Sequence, residues 1–195
     1  MVAAARLRLW PAVLCLGATF IVAGGRARGD EASSGGLSEY QVKAAYLYYF
    51  TTFVDWPPET YSRTGDAVVI GILGEDPFGA ILDDTLRGKS VNNRRFIVRR
   101  FASIKDARDS HVLFIAASER DRLSSILKAL EGAAVLTVGD LDQFASRGGQ
   151  IAFRTEGKKV RFDINVAAVE RARLKIGAQL MKLGRIVEGP RGQGG

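Results

Sequence analysis

The spacing of apolar and polar positions changes several times between Ser38 and Val187, and each change marks an element. From Ser38 to Asp55 apolar residues recur every three or four positions, with Val42, Ala45, Tyr46, Tyr49, Phe50 and Phe53 along one line. That period predicts a helix packed on a sheet. Ser38 and Gln41 form an S-x-x-Q capping box at its start. Trp56-Pro57-Pro58 stops it, because proline has no N–H to donate and constrains the residue before it. A second line, Tyr40, Ala44, Leu47, Tyr48 and Thr51, is also largely apolar, leaving Glu39, Gln41, Lys43 and Thr52 as the wet side. A helix apolar nearly all round is either buried on two sides or lies against another protein. The pattern leaves both open, and it makes Tyr40, Leu47 and Tyr48 the candidate partner-binding residues.

The period then shortens. Residues 67–74, 111–117 and 134–140 are continuous apolar runs, the mark of strands covered on both faces. Residues 94–101 form a further strand with Phe96 and Val98 on one face. Residues 76–88 predict a helix capped by Asp76 and ended by Gly88, and Ser118 is placed to cap a helix running to Gly132. A short helix is expected near residues 141–149. Residues 150–165 alternate, with Ile151 and Phe153 against Val160, Phe162 and Ile164, and predict a hairpin turning at Glu156-Gly157. Asn165 caps a final helical stretch to about Val187, broken between Arg173 and Ile176, in which Ile176, Leu180, Leu183 and Val187 keep helical spacing. Strand–helix alternation closed by a hairpin predicts an α/β fold: a mostly parallel sheet with helices on both faces and a C-terminal antiparallel hairpin. The chain shows no internal repeat.

At 195 residues the length suits one domain. The boundaries expected are a signal peptide at 1–29, a linker at 30–37, the domain at 38–187 and a disordered tail at 188–195. Arg6 and Arg8 precede an uncharged, mostly apolar run at 9–25, and small residues lead to a cleavage site before Asp30. This predicts export to the periplasm; the alternative is an inner-membrane anchor left uncleaved, against which Pro11, the glycines and the flanking Arg26 and Arg28 weigh. Cys15 lies mid-segment behind Leu14, a poor lipid-attachment site. Export changes the charge. Of 28 basic residues, four (Arg6, Arg8, Arg26 and Arg28) fall in 1–29, where there is no acid, so 24 remain against 21 acidic residues and a net charge of +7 falls to +3. A nucleic-acid role loses most of its support. The only cysteine leaves with the leader, so the exported chain has no disulfide.

The remaining chemistry is sparse. His111, the only histidine, sits at a strand entry and suits a structural place; with no thiol beside it, no metal site and no catalytic triad are expected. No cofactor is implied, since the glycines of 71–79 match neither phosphate-binding pattern. Glu75, Asp76, Ser118 and Asp140 all follow buried strands, whose carboxyl ends line the edge where open parallel sheets bind ligands. They are the candidate ligand edge, with helix capping the plainer reading. Arg94, Arg95, Arg99 and Arg100 make a strongly basic strand, first a solvated edge guarded against aggregation and second an anionic-partner surface. Asp140 and Asp142 could serve a hydrolase, but nothing places an acid and a base together.

Several segments also resemble the YfiR-like family of periplasmic regulators: "EYQVKAAYLYYFTTFVDWP", "IGILGEDPFG", "VRRF", "HVLFIAASERDRL", "VLTVGDLDQFASRGGQIAF" and "VRFDINVAAVERARLKIGAQLMKLGRIV". The resemblance implies an α/β sandwich, often dimeric and without catalytic activity. It implies a partner in the periplasmic sensor region of an inner-membrane diguanylate cyclase, which the regulator represses. A peptidoglycan-associated outer-membrane lipoprotein would sequester the regulator and release the cyclase, so that cyclic di-GMP, biofilm and motility follow. The alternative is a periplasmic module binding a small ligand. Relatives carry disulfides in the exported domain and this chain does not, so redox control is not carried over.

Overall fold

The computed structural model describes residues 37–189; the leader, most of the linker and the end of the tail lie outside the described residues. The chain opens with helix α1 (Glu39–Phe53), strand β1 (Val54–Asp55), α2 (Glu59–Arg63), β2 (Val68–Leu73) and α3 (Ala80–Leu86). Next come β3 (Ser90–Val91), β4 (Arg94–Phe101), α4 (Ile104–Ala107) and β5 (Val112–Ile115). A 3-10 segment (Ala117–Arg122) runs into α5 (Leu123–Ala129), followed by β6 (Leu136–Gly139) and the hairpin β7 (Ile151–Glu156) and β8 (Lys159–Ile164). Helix α6 (Val166–Arg171), β9 (Lys175–Ile176), α7 (Ala178–Leu183) and β10 (Arg185–Ile186) complete it.

Eight strands form one sheet in the order β10-β8-β7-β6-β5-β2-β4-β3, while β1 and β9 pair separately. Pairing is parallel from β4 through β2, β5 and β6 to β7, and antiparallel at the β7–β8 hairpin and at β3–β4. All six residues of β2 are buried because helices cover both faces. One face carries Ile70, Ile72, Phe114, Val138, Phe153 and Phe162 beneath α1, α3 and α7; the other packs Leu113, Ile115 and Val135 under α4 and α5. The α/β architecture is the one expected, and the hairpin register Ile151↔Ile164 and Phe153↔Phe162 matches the alternation in the sequence.

Local expectations fail in instructive places. The capping box on α1 is present, but the helix turns a different side to the sheet: Lys43, Ala44, Leu47, Phe50 and Thr51 are buried, while Tyr49 is 51% exposed. Leu47 is wholly buried and cannot serve as a docking residue. Lys43, assigned to the wet side, points inward. Helix α3 begins at Ala80, because Asp76 accepts a hydrogen bond from Phe78 N in a turn instead of capping the helix. Ser118 does not cap α5; its hydroxyl accepts from Glu75 N. Residues 141–148 are turns, not a helix. Asn165 does cap α6, accepting from Ala168 N, but the C-terminal stretch is no broken helix. Ile176 lies in β9, paired with Val54 of β1, and β10 runs parallel beside β8. Leu180 is buried there and Leu183 is 65% exposed.

The turns at 141–148 have a packing cause. A Cβ on Gly139 would lie 2.7 Å from the Phe144 ring, and one on Gly149 only 2.2 Å from it. The buried Phe144 ring is thus held between two glycine backbones, one at the end of β6 and one leading into β7. Gly149→Ala is expected to cost about 1–3 kcal/mol, the range for overpacking a filled core. Phe144→Leu in the same chain should recover part of it, as read from urea unfolding midpoints. An unchanged midpoint for the single variant would remove this packing account.

Candidate functional site

Charged side chains collect where the amino end of α1 meets the carboxyl end of β6. The Lys43 side chain is 3% exposed, and its Nζ lies 2.6 Å from Asp140 Oδ2 and 2.6 Å from Glu39 Oε1. The ammonium also sits 4.5 Å from the Tyr40 ring centroid, and Tyr40 Oη donates to Asp140 at 3.1 Å. A buried ammonium without such partners would be very costly. Burial alone would lower the Lys43 pKa, but hydrogen bonds to Asp140 and Glu39 outweigh it and hold the pKa above the usual lysine value. Burial, then the Asp140 charge, raise the Tyr40 pKa. The Tyr40 ring meets Phe78 edge-on at 5.2 Å, and Phe78 in turn meets Phe114.

A second cluster ties the hairpin to the C-terminal segment. Asp163 Oδ1 accepts from Arg154 Nε at 2.7 Å, and its two oxygens accept from Arg185 Nε and Nη2 at 3.0 and 2.7 Å. Burial would raise the Asp163 pKa, but the two guanidinium groups overcome it and the net shift is downward. Both clusters line a groove of about 590 Å³ whose wall includes Asp140, Asp142, Phe144 and Ser146. These contacts keep Lys43 and Tyr40 protonated and Asp163 ionised, so the groove carries fixed charges.

The four candidate edge residues do not converge on one site. Strands β2 and β5 are neighbours whose connections leave on opposite faces, a switch point where parallel sheets commonly leave a crevice. Here Glu75 N donates to Ser118 Oγ at 2.9 Å, and a Cβ on Gly74 would meet that oxygen at 2.4 Å, so Ser118 fills the gap. Glu75 and Ser118 border a shallow hollow with Arg100 and Glu119. Asp76 turns to Arg100, whose guanidinium also binds Asp83 and the Gly79 carbonyl. Asp140 lies two strands away in the groove with Lys43. Of the three helix candidates, Tyr40 joins Asp140, Leu47 is buried, and Tyr48 is half-buried, edge-on to Phe96 at 5.7 Å with the Lys89 ammonium 5.2 Å from its ring centroid.

Sequence reasoning missed Lys43, Arg154, Asp163 and Arg185. Lys43 left a signal, a lone cation within an apolar helix; Asp163 left none, since it lies in a strand of alternating character. Among the described residues no group of three His, Cys, Asp or Glu side chains could hold a metal ion, and no helix is long and apolar enough to cross a membrane.

His111 occupies a structural place. It is 1% exposed, its Nδ1 accepts from Val69 N at 3.1 Å, and its carbonyl accepts from Trp56 Nε1 at 3.1 Å. The proton therefore resides on Nε2, which has no hydrogen-bond partner. Burial, then Arg63 and Arg94, push its pKa down to about 4. Protonation would also set a second N–H against Val69 N–H.

Two measurements follow from these clusters. Lys43→Met is expected to destabilise the domain by about 3 kcal/mol, because Asp140 loses its buried partner. Adding Asp140→Leu should restore most of that; a single-variant loss below about 1 kcal/mol, the range of exposed pairs, would show that the pair does not pin α1. The unfolded chain takes a proton on His111 near pH 6.5 and the folded chain only near 4, so stability is complete above 6.5 and falls as pH drops through that window. The loss is about 3 kcal/mol at a 1.36 kcal/mol equivalence per pKa unit. His111→Asn, which keeps an acceptor for Val69 N, should flatten the slope between pH 6.5 and 4.5; an unaltered slope would assign it to other groups.

A search among curated proteins finds no match to this chain. A family model described as YfiR/HmsC-like matches residues 40–185, from the first turn of α1 to the start of β10, taking in both charged clusters apart from Glu39. The chain belongs to the YfiR/HmsC-like family.

Proposed function

We propose that this protein is an exported, non-enzymatic regulator that binds the periplasmic sensor region of an inner-membrane signalling protein, a diguanylate cyclase, and holds it inactive. The family match over residues 40–185 carries the reading. The N-terminal sequence supports export, with a basic start, an uncharged apolar run and small residues before Asp30. The groove supports recognition through contact, since ion pairs hold Lys43 protonated and Asp163 ionised along its wall. In this account an outer-membrane, peptidoglycan-associated lipoprotein relieves repression by sequestering the regulator, and the output is a change in cyclic di-GMP.

The test is intracellular cyclic di-GMP in a deletion strain, in wild type, and in deletion strains re-expressing the chain with or without residues 1–29. A rise on deletion, reversed only by the form that carries the leader, is the expected result. Equal levels in all four strains would sink the cyclase assignment.

A further inference from the structure

The basic strand β4 is paired unequally on its two sides. Toward the sheet centre it pairs with β2 from Phe96 to Phe101, but on its outer side β3 covers only Arg94 and Arg95. Gly74 N donates to the Phe101 carbonyl, which turns the polar groups of Phe101 toward the sheet centre. Strand alternation then turns the N–H and C=O groups of Phe96, Val98 and Arg100 outward. Among the described residues nothing pairs with that stretch, which is long enough for a six-residue strand of about 20 Å.

The two faces beside this open edge differ in chemistry. Phe96 and Val98 are half-buried on the α1 face, where the Tyr48 ring packs on Phe96. Arg94 is bound by Asp66, and Arg100 by Asp76 and Asp83. On the opposite face Arg95 and Arg99 are exposed, and neither has an acidic partner among the described residues. Strand neighbours two apart share a face, so these two cations flank Ile97 on one surface.

We propose that the outer edge of β4 receives an extended segment of a partner protein by strand addition. That segment alternates acidic residues, which meet Arg99 directly and reach Arg95 diagonally from the place opposite Ile97, with apolar residues, which meet Phe96, Val98 and Tyr48. Main-chain hydrogen bonds supply affinity in such complexes, and alternate side chains supply specificity. A second copy of this chain is the poorer occupant, because pairing two β4 edges crowds the arginines of both copies on one face, and like charges opposite one another are destabilising. The proposal rests on the regulator acting through protein contact and names where that contact is made.

The probe is a capped, fluorescent peptide of alternating glutamate and valine. Its controls are a lysine–valine peptide and a peptide of equal negative charge with proline at alternate positions, which cannot join a sheet. The glutamate peptide should bind and slow hydrogen exchange at the Phe96, Val98 and Arg100 amides. Arg95→Glu/Arg99→Glu, a change at exposed positions, should weaken it at least about tenfold and favour the lysine peptide. Equal binding of the proline peptide would reduce the effect to bulk charge and overturn strand addition. Protection of these amides by raised protein concentration alone would make the occupant a second copy and also overturn it, as would absence of binding by the glutamate peptide. The same double variant separates this proposal from the cyclase reading. If deletion raises cyclic di-GMP and the variant represses as well as wild type, the regulator stands and the β4 edge fails; if deletion changes nothing, the cyclase assignment fails whatever the peptides do.

Discussion

An ammonium cannot be left alone in a protein interior, and that constraint sets the orientation of α1. Lys43 is directed inward on the same side as Leu47 and Phe50, so the helix can seat only where carboxylates receive it. Asp140, at the end of β6, and Glu39, one turn back on the helix, are those groups. Satisfying them fixes the rotation of α1, and with it which aromatic rings enter the core. Phe50 lies stacked near Phe153 and edge-on to Phe162, while Tyr46 fits beside them with its ring partly buried. Tyr49 is left outside. The hydrophobic effect supplies most of the energy of this contact, but the ion pair chooses among the orientations it would permit.

Much of the fold was legible because its signals are local. The buried strands are continuous apolar runs, the hairpin alternates with a period of two, and Ser38 with Gln41 caps α1 within one turn. The choice of buried face was not legible. Tyrosine is at home at a margin as well as in a core, so the two apolar lines of α1 carried similar weight. What separated them was Asp140, ninety-seven positions along the chain from Lys43. The C-terminal stretch failed for a related reason. Leu180, Leu183 and Val187 keep a helical spacing, but the two-residue strands β9 and β10 are made by pairing with Val54–Asp55 and Asp163–Ile164, and strands so short have no period to detect.

The motifs that carry the family resemblance work chiefly as joinery. Trp56 places its indole N–H on the His111 carbonyl at the foot of β5, and the glycines around Phe144 make room for a ring that a Cβ would displace. The candidate edge was right in strand order and wrong in convergence: Glu75 and Ser118 meet by closing the switch point on each other, whereas Asp140 is committed to Lys43. The groove and its two ion-pair clusters form a recessed charged surface there, and of its charged members only Arg154 lies outside the segments that carry the resemblance.

The two ends of the sheet are finished differently. At one end β10 contributes two residues, and Gly184, just before it, is pressed against Phe162 and Ile164 so closely that a Cβ would fall 2.6 Å from the Phe162 ring. At the other end β4 runs eight residues with most of its outer rim unpaired. A ladder that grows from molecule to molecule needs two matching ends, and head-to-tail contacts make filaments only when each subunit offers both. Among the described residues both free rims are basic: Arg95 and Arg99 lie along β4, and Lys159 and Arg161 lie on β8, whose outer side β10 covers only at Asp163 and Ile164. A head-to-tail stack of this chain would set like charges against one another, so its own edges oppose a fibre.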